Sequence, residues 1–227
     1  MILSLLSMND FLTIIAVLVA FLSALFISMP FHEFAHAHAA LKEGDPTAKI
    51  LKRYTLAPFS HIDAKGLVFL LLFSIGFAKP VPIDSRNFKR GVKSELRVDF
   101  AGVLVNLLIA ILSCFLFTLL INIWPALFIK YGFLSDLYYY FFNFMISINF
   151  MFVFFNILPI YPLDGFRVVE ALSKTENNYI RFMKRNSFWI MLVLLITGIL
   201  SAYISLCAGG LSNWFMSIFD SFFAWVG

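Results

Sequence analysis

From Phe11 to Phe31 the chain runs twenty-one residues without a charge. A helix over that run is apolar on every side and long enough to cross a bilayer, which no ordinary water-soluble domain requires. The run leads directly into His32-Glu33-Phe34-Ala35-His36, an H-E-x-x-H pattern. On a helix, His32 and His36 are four residues apart and share a face, where two imidazole nitrogens can bind one divalent ion. Glu33, next to the first of them, can accept a proton from a metal-activated water. Ionisable groups in a span are costly and point to function, so metal chemistry inside a membrane is the first expectation.

Composition agrees with a bilayer. Hydrophobic residues make up 61% of the chain and aromatic residues 18%, with a mean hydropathy of +0.90. The fold class expected is an all-α polytopic membrane protein with about four to six transmembrane helices. It forms a single membrane-embedded domain over 1–227, with a core at 11–172 and accessory helices at 188–226. The net charge of +4 resides in loops beside apolar spans, which suits anionic lipid headgroups rather than nucleic acid. Cys114 and Cys207 both lie in apolar runs, so neither a disulfide framework nor a thiolate metal site is expected. The first Lys or Arg is Lys42, so a cleaved signal peptide is not expected.

Asn9 or Asp10 can cap a helix running from near Phe11 to Leu41, with Gly44-Asp45-Pro46 as its stop. Such a helix spans roughly 46 Å, with a kink expected at Pro30 and His32 about 13 Å from the far end. Strand-like character is expected in the loop around Ile50 to Leu56. Gly66 to Ala78 is only 13 residues long and reads as re-entrant or as a short packed segment. Further spans are expected at Val98–Ile123, Tyr138–Leu158 and Phe188–Leu206, with an interfacial or spanning tail from Leu211 to Val226. Lys and Arg number five in loop 42–65, six in 79–97, one in 124–137 and five in 159–187. If 66–78 does not cross, the positive-inside rule puts the three basic loops in the cytosol. The motif and Asp164 then both reach the cytosolic leaflet.

A catalytic zinc site needs three protein ligands and an open position. Asp164 is the best third candidate, since it follows a span and the break Pro159-Ile160-Tyr161-Pro162. On spacing alone, a helix-capping role for it stays equally open. His38 lies two residues beyond His36, on another face, and is not expected to be a ligand. Asn106, Asn143, Asn149 and Asn156 interrupt apolar runs and can staple helices together.

The ordered set His32-Glu33-Phe34-Ala35-His36, Gly44-Asp45-Pro46-Thr47-Ala48, His61-Ile62-Asp63 and Ala78-Lys79-Pro80-Val81-Pro82, with Ala101-Gly102, Asn106, Asn156-Ile157-Leu158-Pro159 and Pro162-Leu163-Asp164-Gly165, resembles the site-2 protease family of intramembrane zinc metalloproteases in its small bacterial form. Val103 stands where that family usually has Pro after Ala-Gly. The resemblance implies one Zn2+ held by His32, His36 and Asp164, with Glu33 as general base. It also implies substrate-positioning or oxyanion-stabilising roles for Asn106 and Asn156. The expected function is hydrolysis of peptide bonds in or near transmembrane segments of single-span membrane proteins or peptides, in the cell inner membrane, with the site toward the cytosolic leaflet. The competing reading is a divalent-metal transporter using the same His/Asp site. It needs no glutamate beside the ligands and usually needs paired sites. A di-iron oxidase would need more than the four histidines present.

Overall fold

The computed structural model describes residues 10–61, 79–129, 132–173 and 175–226. The described residues form helices and loops with no strand. Helix α1 spans Phe11–Glu43, α2 Thr47–Ile50, α3 Pro58–His61, α4 Val92–Ile123 and α5 Ala126–Ile129. Then come α6 at Phe133–Asn156, α7 at Asp164–Ser173, α8 at Asn178–Ile196 and α9 at Ile199–Val226. Among the described residues, four helices are long and apolar enough to cross a membrane: α1, α4, α6 and residues Ile199–Trp225 of α9. The protein is a polytopic membrane protein.

Local signals set the limits of α1. The Asp10 carboxylate accepts from the backbone N–H groups of Leu12 and Thr13, at 3.2 and 3.3 Å, satisfying two donors that a helix start leaves orphaned. At the other end Gly44 adopts φ +112°. Its N–H reaches the Leu41 carbonyl at 3.2 Å, and the Asp45 N–H reaches Ala40 at 2.9 Å. This paired closure needs a left-handed residue, which glycine supplies without steric cost. Pro30 lies inside α1, and the helix continues through it.

Two stripes of buried residues at four-residue spacing bring the helices together. On α1 the stripe is Ala16, Ala20, Ala24, Ser28, His32, His36 and Ala40. On α4 it is Val98, Gly102, Asn106, Ala110 and Cys114. Small residues let the backbones approach closely, which is how helices associate where lipid removes the hydrophobic drive between them. Leu104, Leu108 and Leu112, on the other side of α4, are exposed and face lipid. Helix α6 closes the triangle through Met145 and Ile148, packed on Ala24 and Leu25. Phe150 and Ile146 pack on Ala110, Cys114 and Ala208 of α9.

Three expectations change. Residues 50–56 contain no strand: α2 ends in a turn at Leu51–Lys52, because Asp45 accepts from the Thr47 N–H at 3.1 Å and also from its hydroxyl, starting a helical turn. The span expected at Phe188–Leu206 is divided. Helix α8 stops at Ile196, Gly198 takes φ +73°, and α9 starts anew at Ile199 to run through the tail. The remaining spans start earlier than expected, at Val92 and Phe133, and the third stops at Asn156. The re-entrant segment expected at 66–78 lies outside the described residues.

Candidate metal centre

His32 and His36 sit one turn apart on the buried stripe of α1, where α4 crosses. The approach is possible because Gly102 lacks a side chain. A Cβ there would lie 2.4 Å from His36 Nε2 and 2.5 Å from His32 Cε1. Asp164 arrives from the first turn of α7. The chain after α6 turns through Ile157–Leu163, with Ile160 and Leu163 N–H groups bonded to Leu158 and Ile160 carbonyls at 2.8 and 2.9 Å. Gly165 makes that turn possible, since a Cβ at this position would lie 2.1 Å from the Ile157 carbonyl oxygen.

The three side chains converge. His32 Nε2 and His36 Nε2 are 3.0 Å apart, and Asp164 Oδ2 lies 3.3 and 3.2 Å from them. All three residues are buried. Each imidazole is held from behind. His36 Nδ1 bonds the Val98 carbonyl at 2.7 Å, and His32 Nδ1 bonds Asn106 Oδ1 at 2.5 Å. A carbonyl oxygen only accepts, so each Nδ1 carries the proton and each Nε2 presents a lone pair inward. Asp164 Oδ2 is a buried oxygen without a hydrogen-bond partner. Two lone pairs and one orphaned carboxylate oxygen facing a common point repel unless a cation lies between them. The donor set, two imidazole nitrogens and a carboxylate, suits a divalent transition metal and a catalytic zinc above all.

Glu33 is buried beside the cluster. Its Oε2 accepts from the Val81 N–H at 2.8 Å. Val81 is flanked by Pro80 and Pro82, which have no N–H, and is packed on Ala37 and Ala48. It thus supplies its N–H to Glu33 from a fixed position. A cavity of about 210 Å3 opens beside Asp164, with mostly apolar walls from Phe100, Val103, Ile157, Pro159 and Val168. Asp99 lies at this cavity, 3.7 Å from Arg167 Nε.

The other singled-out residues fall elsewhere. His38 shares a hydrogen bond with the Tyr54 hydroxyl at 2.9 Å and stacks on Phe34. Asn106 is fully buried, with its oxygen on His32 and its Nδ2 donating to Asn149 Oδ1 at 2.7 Å. It stands behind His32 with both ends of its amide engaged. Asn156 donates back to the Phe152 carbonyl at 3.0 Å, and Asn143 to Tyr139 at 2.7 Å, both within α6. Three participants carry no role in the sequence, Ser28, the Val98 carbonyl and the Val81 N–H, and Asn149 is expected there only as a helix staple. The signal for Ser28 was its place four residues before His32; for Asn149 it was a buried amide in an aromatic span.

The family model "Peptidase family M50" matches residues 20–200, and the chain belongs to that family. This is the site-2 protease assignment that the sequence resemblance indicated. Over 148 residues the chain is 36% identical to "Putative zinc metalloprotease YwhC" of Bacillus subtilis, an alignment covering 65% of this chain and 66% of that protein. It is 26% identical over 188 residues to "Zinc metalloprotease MJ0392" of Methanocaldococcus jannaschii, covering 80% of this chain and 43% of that protein. The chain therefore spans just under two thirds of the first relative and less than half of the second. No solved structure matches it.

Proposed function

We propose that this chain is a zinc-dependent endopeptidase of the membrane interior, cleaving single-span membrane proteins or peptides in or near their transmembrane segments. The observation that carries the reading is the convergence of His32 Nε2, His36 Nε2 and Asp164 Oδ2 beside Glu33. Family membership and the two zinc-metalloprotease relatives support it. His32, His36 and Asp164 would hold one zinc ion. When bound, zinc polarises a carbonyl and lowers the pKa of water toward about 7.

Glu33 performs the proton transfers. With Oε2 fixed on the Val81 N–H, its other oxygen takes the proton of the attacking water and returns it to the leaving amine, a contribution of about 10²- to 10⁴-fold. A substrate helix hides its carbonyls in its own hydrogen bonds, so the segment around the scissile bond must unwind before attack. The apolar cavity beside Asp164 offers a place for a side chain of the unwound segment. The chain works as one membrane-embedded unit, 11–172 forming the catalytic core and 188–226 accessory to it. In this reading the site faces the cytosolic leaflet of the inner membrane, from which water enters; the Lys and Arg in loops 42–65, 79–97 and 159–187 support that orientation.

The test is coexpression of a tagged single-span substrate with wild type or Glu33→Gln. The substitution keeps the shape and leaves the three ligands intact, so zinc content stays at the wild-type level while cleavage falls by about 10²-fold or more. Undiminished cleavage by a zinc-loaded Glu33→Gln would overturn the assignment.

A further inference from the structure

Behind His32 lies a buried polar chain that crosses all three core helices. Ser28, Asn106 and Asn149 are each 0% exposed, in a region where polar groups are rare and expensive. Every hydrogen bond in it has a forced direction. Asn149 Nδ2 donates to the Met145 carbonyl and to Ser28 Oγ, both at 2.7 Å. Ser28 has spent its own proton on the Ala24 carbonyl at 2.8 Å, so its oxygen is left to accept. The carbonyl of Met145 can only accept, which fixes the Asn149 amide with its oxygen toward Asn106. That oxygen takes the Asn106 Nδ2–H at 2.7 Å, and Asn106 Nδ2 also faces the Ser28 carbonyl at 3.4 Å. Asn106 therefore turns its oxygen to His32 Nδ1.

We propose that Asn149, acting through Asn106, is a positioning residue that fixes the tautomer of His32. This rests on the metal reading of the centre. Were the Asn106 amide reversed, an N–H would face His32 Nδ1. The imidazole would have to carry its proton on Nε2, pointing into the metal position, where it cannot bind a cation. The short anchor of the chain's polarity is the Met145 carbonyl on α6, remote from the ligands, with the Ser28 carbonyl adding a longer contact to Asn106 at 3.4 Å. Packing of α6 on α1 and α4 is thereby coupled to whether His32 can serve as a ligand.

The test uses the full chain in detergent, with 15N-labelled histidine and zinc affinity measured by chelator competition. In the zinc-free wild type, the His32 proton is expected on Nδ1. Asn149→Asp keeps an acceptor for Asn106 and is expected to retain the Nδ1–H tautomer and bind zinc within about threefold of wild type, whereas Asn149→Leu loses about ten- to a hundredfold. Asn149→Leu also shifts the His32 tautomer toward Nε2–H. Should Asn149→Leu fail to fold, Asn106→Asp decides: it keeps the acceptor toward His32 and is expected to bind zinc like wild type. Overturning results are an Asn149→Leu protein with unchanged tautomer and affinity, or a folded Asn106→Asp protein that loses zinc. A wild type that binds no zinc would instead sink the proposed function, and this inference with it.

Discussion

Gly102→Ala adds one methyl group where α4 crosses the two histidines, and its effect follows from three distances. The new carbon would lie 2.4 Å from His36 Nε2, 2.5 Å from His32 Cε1 and 2.8 Å from His32 Nδ1, while ordinary contact begins at 3.4 Å. Relief of the shortest contact requires a displacement of about 1 Å. The rings cannot swing away freely, because His36 is tied to Val98 and His32 to Asn106. If the rings move, those hydrogen bonds break. If α4 retreats instead, the seam between the two small-residue stripes opens and separates the ligands from their supports. Metal–ligand distances tolerate only about 0.2 Å, and a 1 Å misplacement at a reacting centre costs about 10²-fold. Gly102→Ala is therefore expected to weaken zinc binding by about ten- to a hundredfold, read by chelator competition, with helical content unchanged by circular dichroism. Gly209→Ala, where nothing lies within 4 Å of the added carbon, is the control and should bind zinc normally. Zinc affinity in Gly102→Ala within about threefold of the control would refute the close approach described here.

Other perturbations reach the site through its supports. Gly165→Ala places a carbon 2.1 Å from the Ile157 oxygen and 2.5 Å from its carbonyl carbon; backbone cannot yield as a side chain does. The turn that delivers Asp164 should be lost, so zinc binding falls together with cleavage, while Glu33→Gln spares zinc. Asp45 is buried. Burial pushes its carboxyl up, but the Thr47 hydroxyl, the Asp84 N–H and the Asn87 amide outweigh that and hold it below its ordinary value of 3.8. The carboxylate therefore stabilises the loop junction above about pH 4. That contribution disappears as pH falls through the lower, folded value. Asp45→Ala, which strands those donors, should destabilise by about 1–3 kcal/mol at neutral pH, read as a lower midpoint of thermal unfolding. The gap between variant and wild type should close in acid.

How much of this was legible depended on whether the information was local. The charge-free run, Asp10 and Gly44 defined α1 because span length and capping are properties of consecutive residues. The H-E-x-x-H pattern pointed to two candidate ligands and a candidate base for the same reason, since helix periodicity alone puts His32 and His36 on one face. Asp164 could be proposed as a ligand from its place after a span, yet only the turn permitted by Gly165 brings it there. Hydropathy missed the break at Thr197–Gly198, since an apolar run reads as continuous even where one glycine takes a left-handed conformation. The apparent strand at 50–56 failed because Asp45 captures Thr47 and starts a helical turn. Asn106 stands out in the sequence as a lone amide in an apolar run, but its contact with His32 does not show there. Its partner is 74 residues away on another helix, and the direction in which an amide points is invisible in a pattern of residue types.

The central claim is that His32, His36 and Asp164 together hold one zinc ion, and metal content per folded chain tests it most directly. Elemental mass spectrometry on detergent-purified protein should find about one zinc per chain in wild type and in Glu33→Gln, and little in His36→Ala or Asp164→Ala. A folded Asp164→Ala protein that still carries a full equivalent of zinc would contradict the account.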